Sequence, residues 1–493
     1  MNEPISVKDV ANASITEIQQ WFDDGRVTAA ELVLLYLERI ARYDRSGPRL
    51  NSVLEINPDA YHLAQALDQE RRQRGPRGPL HGIPVLLKDN IATGDKMHTS
   101  AGSRAMQDVY APADSMVAER LRQAGAVILG KVNLTEWANF MTDHMPNGYS
   151  SRGGQVLNPY GPGQHDTGGS SAGSGASVAA GLAAFAIGTE TSGSILSPSS
   201  QNSLVGIKPT VGLISRFGIV PISHSQDTAG PMTRTVRDAA LALGALTGFD
   251  PRDAATGMAD GRYPLDYTEG LSEDGLKGMR IGVPRHLYYE ALDDWQKELF
   301  DRAVADLARL GATIVDPAEI PSADDEHDYT VLIYEFKSDL NAYFNWLGDR
   351  SPVTSLADVI AYNEANAEEC LKYGQTLMLK AEETSGTLTE VEYLKARARD
   401  LRSSGAEGID QVMAEHRLDA IVFAANYGAG VAAKAGYPSI TVPAGYSPES
   451  EPMGLTFTAR AFEEEKLIRL AYAYEQGTKR REPPKLSESS QNG

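Results

Sequence analysis

Between Gly168 and Lys208 the chain reads GGSSAGSGASVAAGLAAFAIGTETSGSILSPSSQNSLVGIK, a run of glycine, serine and alanine with almost no charge. Ser170, Ser171, Ser174, Ser192 and Ser194 fall in glycine-rich turns, where a backbone can take positive φ and approach a ligand closely. Ala172 to Ala186 reads as a tightly packed helix between two hydroxyl-presenting loops. A segment of this composition is more often a flexible linker. Linkers, however, do not enclose a helix bearing alanine, valine, leucine and phenylalanine.

Upstream, the apolar run Ile83-Pro84-Val85-Leu86-Leu87 reads as a buried strand that delivers Lys88, Asp89 and Asn90. A lysine held out of water at such a strand end loses its proton by desolvation. Taken alone, Lys88 would be a solvated strand-end lysine, and Asp89 and Asn90 would orient the turn. A serine hydroxyl is a poor nucleophile at neutral pH, so a base must remove its proton during attack on a carbonyl. A neutral lysine can serve, and a second serine can relay the proton. The oxyanion that forms needs donors, for which the backbone N–H groups of Thr191, Ser192, Gly193 and Ser194 are the candidates.

Other catalytic patterns fail on the letters. Gly169-Ser170-Ser171-Ala172-Gly173 satisfies G-x-S-x-G, but Asn158-Pro159-Tyr160-Gly161-Pro162 upstream cannot be the strand that a nucleophile elbow requires. None of the lysines has a serine three positions before it, which removes Ser-x-x-Lys. There is no H-E-x-x-H, and a single cysteine, Cys370, excludes CxxC and any intramolecular disulfide. Gly125 to Lys131 lacks the Ser or Thr and the glycine spacing of a phosphate loop. No metal or cofactor is expected.

Gly82-Ile83-Pro84-Val85-Leu86-Leu87-Lys88-Asp89, Gly168-Gly169-Ser170-Ser171 and Gly188-Thr189-Glu190-Thr191-Ser192-Gly193-Ser194-Ile195 together resemble the amidase signature family of serine amidohydrolases. The likeness continues through Gly206-Ile207-Lys208-Pro209-Thr210, Asp227 to Arg234 and Gly436 to Pro443, and is least clear over residues 255 to 415. It implies a Ser–cis-Ser–Lys triad, with Ser194 as the acyl-forming nucleophile, Ser170 as the bridging serine after a cis peptide, and Lys88 as the terminal base. Glu190 stands where many members carry aspartate, Ser192 where they carry glycine, and Leu196 where they carry arginine. This version looks most like the branch that includes bacterial peptide amidases, which deamidate C-terminal peptide amides. The implied activity is hydrolysis of a carboxylic or peptide C-terminal amide to acid and ammonia. The alternatives are an amidotransferase A-type subunit that needs partner chains, and an esterase using the same triad. Substrate-binding residues stay open; Met141, Tyr149, Gln226 and Asp227 are near the motifs in sequence.

The 493 residues, 42% of them hydrophobic, can supply a substantial core. A formal charge of −20 argues against a nucleic-acid partner, because such binding rests on Lys and Arg. The basic runs at Arg71 to Arg74 and Lys479-Arg480-Arg481 read as solvated faces. No apolar run approaches about 18 residues, so neither a membrane span nor export is supported, and the reading is cytoplasmic, with a homodimer as one assembly open to it.

Ser14 with Glu17 and Thr28 with Glu31 form capping boxes; in the second helix Val33, Tyr36, Leu37 and Ile40 share a face. Asn57-Pro58 opens a helix through Ala66, followed by a connector over Arg71 to Leu80. Helix Met116 to Gln123, strand Ala126 to Leu129 and helix Asn133 to Phe140 give a βα rhythm. The predicted class is α/β, with a mixed, largely parallel central sheet covered by helices on both faces. Strands are expected at Met279 to Val283, Ala312 to Val315, Ala420 to Phe423, Ser439 to Val442 and Gly454 to Thr458, and helices at Trp295 to Leu310 and Glu463 to Tyr474. Residues 1–477 are read as a single domain with a helical insertion over 324–416 that holds Cys370 as a packing residue. Residues 478–493 are read as a polar, disordered tail.

Overall fold

A computed structural model describes residues 5–264, 266–325 and 328–487. Thirteen strands follow in chain order: β1 (Val53–Ile56), β2 (Pro84–Lys88), β3 (Val127–Val132), β4 (Tyr149–Ser150), β5 (Gly154–Gln155), β6 (Phe185–Glu190), β7 (Val205–Lys208), β8 (Thr228–Thr233), β9 (Arg280–Gly282), β10 (Thr313–Val315), β11 (Ala420–Ala424), β12 (Ser439–Tyr446) and β13 (Pro452–Thr458). Eleven of them form one sheet in the order β1-β3-β2-β6-β8-β7-β12-β13-β11-β9-β10, and β4 pairs with β5 separately.

The sheet is mixed, as expected of this α/β chain. Parallel pairing holds in β3-β2-β6 and in β11-β9-β10. From β6 through β8, β7, β12 and β13 to β11 every pair is antiparallel, a larger antiparallel share than the βα rhythm of the first third suggests. Strands β2, β3, β6 and β11 are buried at every residue, which is why they read as continuous apolar runs rather than alternating ones.

Both predicted capping boxes form, Ser14 with Glu17 and Thr28 with Glu31, at the starts of helices Ile15–Asp23 and Ala29–Arg39. The helix after Asn57-Pro58 runs from Ala60 to Arg74, taking in part of the expected connector. Two other expectations are corrected. The helix beginning at Ala172 ends at Ala179, because Gly181 turns the chain with φ +68° and Phe185 then enters the sheet as β6 between β2 and β8. Sheet pairing on both edges outweighs the helix propensity of the alanines. Asn133 to Phe140 is not a helix: the Asn133 side chain accepts the Leu134 N–H at 2.9 Å, and Trp137, Ala138 and Asn139 all have positive φ.

The apolar core divides into two main clusters. The larger lies on both faces of the sheet. The second joins helix Thr330–Leu347 and its neighbours in the insertion to residues 92–145 and to Val220 and Ile222. Phe140 and Phe336 meet edge to face at 5.1 Å across it. Each buried aromatic contributes on the order of 2 kcal/mol, so the insertion is anchored as a cover beside the C-terminal end of β2. Cys370 is buried within that insertion.

The final helix continues to Thr478, and the stretch expected to be disordered starts with contacts: Arg480 pairs with Asp306 at 2.5 Å, and the Glu482 N–H donates to the Tyr446 hydroxyl at 2.6 Å. Residues 488–493 of that expectation lie outside the described residues.

Candidate active site

Strand β2 ends on Lys88, which has no exposed surface. Its Nζ lies 2.6 Å from Ser170 Oγ, 2.9 Å from Thr189 Oγ1 and 3.2 Å from the Thr189 carbonyl oxygen. Burial pushes the amine down to about 7, against the attraction of Asp227 and Glu190. A neutral amine has two hydrogens and one lone pair. The two Thr189 oxygens take the hydrogens, which leaves the lone pair for the Ser170 hydroxyl. Thr189 Oγ1 is also 2.9 Å from the Asn90 amide nitrogen, while Asn90 Oδ1 is buried without a partner. Exchanging the two ends of that amide, which electron count alone does not distinguish, lets the Thr189 hydroxyl donate to Asn90 and completes the set.

Ser170 is fully buried and follows a cis peptide from Gly169. Gly168 takes φ +66°, and a Cβ there would lie 2.6 Å from the Pro198 backbone, so only glycine fits. The Ser170 carbonyl accepts from the Thr135 N–H at 3.0 Å, and the Ser171 N–H donates to the Ser194 carbonyl at 3.1 Å. That second bond ties the two serine loops together. Ser194 is 7% exposed and lines a cavity. No hydrogen bond joins its hydroxyl to Ser170 Oγ among the described residues.

The turn between β6 and Ser194 is organised by Glu190. Its carboxylate accepts the N–H groups of Gly193 at 2.7 Å, Ile195 at 2.7 Å and Leu196 at 3.0 Å. Burial raises its pKa, and the nearby Lys208 charge opposes that rise. The Gly193 N–H is therefore committed to Glu190 and is withdrawn from the expected oxyanion donors. The N–H groups of Thr191, Ser192 and Ser194 have no such engagement. Gly193 itself takes φ +81°, which lets the turn fold over the carboxylate.

Two cavities meet at this turn and share Ala138, Thr191 and Ile222 as walls. The smaller, about 170 Å³, contains Ser192 and Ser194 and is lined by Asn139, Asp143 and Tyr329. The larger, about 390 Å³, is mostly apolar, with Phe217, Tyr343 and Trp346 in its walls. Of the residues near the motifs in sequence, Asp227 lines the larger cavity and accepts from Thr191 Oγ1 at 2.6 Å. Burial raises the Asp227 pKa to about 6. Gln226 donates to the Thr191 carbonyl at 3.2 Å. Met141 and Tyr149 line neither cavity.

Sequence reasoning misses Thr189 and Asn90 as partners of the lysine, and misses Glu335. Fully buried on helix Thr330–Leu347, Glu335 accepts from the hydroxyls of Ser223, Ser225 and Tyr393. It thereby holds the loop whose Asp227 carboxylate holds Thr191. A glutamate on an acidic helix carries no sequence signal of that role. Among the described residues, His224, Glu335 and Asp339 are the one group whose ligand atoms lie within 4.8 Å of one another. The Glu335 oxygens are already taken up by four donors, so a cation would have to displace them.

The family model described as Amidase matches residues 31–468. A probable amidase of Arabidopsis thaliana is 44% identical, over 98% of this chain and 93% of that one. The solved structure of native peptide amidase from Stenotrophomonas maltophilia is 47% identical, covers 96% of this chain and 98% of its own, and superposes with a TM-score of 0.91. The A-type subunit of a glutamyl-tRNA(Gln) amidotransferase from Exiguobacterium sibiricum is 33% identical, over 94% of this chain and 97% of that one. No helix among the described residues is long and apolar enough to cross a membrane.

Proposed function

The chain belongs to the amidase family, and from that premise we propose that it hydrolyses the C-terminal amide of a peptide, or a similar carboxamide, to the acid and ammonia through an acyl-serine on Ser194. The observation that carries this reading is the Lys88 amine, wholly buried, with its hydrogens directed to Thr189 and Ser170 Oγ 2.6 Å away.

In this scheme Ser194 Oγ attacks the amide carbon, its proton passes to Ser170 Oγ, and the Ser170 proton passes to Lys88. The link between the two serines, absent in the free chain, closes when an acyl group orders the site. The carbonyl oxygen becomes an oxyanion that the N–H groups of Thr191, Ser192 and Ser194 stabilise; each such donor is worth roughly 3 kcal/mol. Lys88 then returns the proton through Ser170 to the amide nitrogen, the C–N bond breaks, and ammonia leaves. Water attacks the acyl-serine along the same relay and restores Ser194.

The larger cavity suits the side chain next to the amide, since its volume and aromatic walls fit an apolar or aromatic group. One sheet carries Lys88, Thr189 and the late strands, which supports residues 1–477 acting as one catalytic domain. The test is ammonia release by the isolated chain from peptide, aromatic and aliphatic amides, without ATP or tRNA, with the acyl adduct mapped by mass spectrometry. An adduct on Ser194 and ammonia release are expected. Dependence on added partner chains would favour the amidotransferase reading instead, and faster turnover of matched esters an esterase.

A further inference from the structure

A third cavity, about 260 Å³, is lined by none of the residues that line the two beside Ser194. It lies where the final helix ends, against Asn12, Thr235, Pro443 and the basic residues Arg234, Lys479, Arg480 and Arg481. On a chain of formal charge −20 such a concentration of cations is out of keeping with the rest of the molecule.

These cations are only partly neutralised by their surroundings. Arg480 pairs with Asp306, but Arg234 and Arg481 form no ion pair among the described residues. Arg234 spends Nη1 and Nη2 on the carbonyls of Val178, Ala183 and Ala13, leaving its Nε buried with no acceptor. Arg481 donates from Nη1 to Asn12 at 3.2 Å, while its Nε and Nη2 are buried with no acceptor. The two guanidinium charges repel: burial first, and Arg234 with it, hold Arg481 below its usual range, with Tyr160 opposing. Buried donors left unpaired cost on the order of 1–3 kcal/mol each, more when charged. The acidic lining group, Glu475, has its oxygens turned to the Val236 N–H at 2.8 Å and to Gln476 Nε2 at 3.1 Å. Thr235, the N-cap of helix Val236–Leu246, also faces the cavity, so the positive end of that helix adds to the field.

We propose that this cavity is a binding site for a small oxyanion of the phosphate type, held by the unpaired N–H groups of Arg234 and Arg481 with Lys479 at its rim. A tetrahedral oxyanion offers several acceptors at once and matches the fork of a guanidinium. Inorganic phosphate and a phosphate monoester share that chemistry.

The test uses the full chain and two probes, inorganic phosphate and glycerol phosphate, at ionic strength held constant with sodium chloride. Melting temperature is followed against probe concentration and Kd is measured by calorimetry. A saturable rise in melting temperature is expected with at least one probe. Tighter binding of phosphate identifies the free ion as the source, and tighter binding of the monoester a phosphorylated metabolite. In Arg481→Gln the Kd should weaken at least about tenfold, with amide hydrolysis unchanged. Lys479→Gln provides a second, more exposed variant and should weaken binding by a smaller factor. A rise that does not saturate, that chloride reproduces, or that persists undiminished in both variants overturns the site. Because hydrolysis is read separately, failure of the amidase reading leaves this result intact, and the reverse holds too.

Discussion

Replacing Lys88 by Met separates what the lysine costs the fold from what it supplies to the reaction. Methionine fills a similar volume and cannot titrate. The drop of the amine from 10.5 to about 7 corresponds to about 5 kcal/mol of free energy held against the charged form. Between pH 7 and 10.5 the unfolded chain carries this proton and the folded chain does not. Folded stability from this group therefore rises with pH across that window, by about 1.4 kcal/mol per unit, and its penalty is fully present below pH 7. Met removes the penalty but strands the Ser170 hydroxyl and the Thr189 oxygens, at about 1–2 kcal/mol each. Lys88→Met should thus be about 2 kcal/mol more stable than the natural chain at about pH 7, and that advantage should shrink by about 2 kcal/mol by about pH 9. Urea unfolding of both proteins at intervals from about pH 6 to about pH 9 measures the difference, in which every other titrating group cancels. In parallel, kcat/KM of the natural chain should climb with pH through about 7 as Lys88 becomes neutral, while the variant loses at least about a thousandfold at every pH. A stability difference that is flat across that pH range, or a variant that keeps its activity, refutes the neutral-base argument.

Ser194→Ala should abolish turnover and acyl-adduct formation, yet move the melting temperature by no more than about 2 °C, because its hydroxyl holds no hydrogen bond in the free chain. Glu190→Gln places an amide where a carboxylate accepts three backbone N–H groups; urea unfolding should show a stability loss of about 3 kcal/mol, and steady-state kinetics a fall in kcat larger than any rise in KM. Trp346→Ala opens a wall of the larger cavity and removes an edge-to-face contact with Phe217 at 5.4 Å. It should lower kcat/KM about tenfold for amides with an aromatic side chain and hardly at all for small aliphatic ones, as read by ammonia release.

What the letters reveal, and what they hide, follows from how far apart the interacting groups are in sequence. Lys88 and the serine loops are legible because strand, turn and small-residue signals are local. The capping boxes at Ser14 and Thr28 are legible for the same reason. The end of the helix at Ala179 is not, because what makes Phe185 to Glu190 a strand is pairing with distant parts of the chain, Val85 opposite Phe185 and Met232 opposite Ala186. The loop at Trp137 to Asn139 is hidden for a related reason: its positive φ values are held by tertiary contacts such as the Trp137 N–H to Ala101 carbonyl bond, and no glycine announces them. The Gly193 donor is misread from the sequence because composition marks a turn without saying which way an N–H points. Glu190, which the sequence presents only as a longer acid in place of a shorter one, has the reach to bind three amides of that turn at once.

Desolvation alone does not make a lysine a base, and the chain carries its own controls. Lys131 and Lys208 are as completely buried as Lys88, and burial brings each down to about 8. Lys131 donates to the Ile91 carbonyl at 2.6 Å and to Thr99 Oγ1 at 3.0 Å, and Lys208 donates to the Pro209 carbonyl at 3.3 Å while feeling Glu190 and Glu464. Their surroundings consist of acceptors and carboxylates, which reward a proton kept on the amine. Lys88 touches no carboxylate, and its shortest contact is a hydroxyl that has a proton to give. That difference is set by the order of the sheet. With β6 beside β2, Thr189 faces Lys88 and fixes its hydrogens, and the turn that leaves β6 carries Ser194 back to the loop of Ser170. The chemistry of the amine thus depends on strand adjacency as much as on burial, which is why the same residue type on neighbouring strands has a structural role in two places and is poised for proton transfer in one.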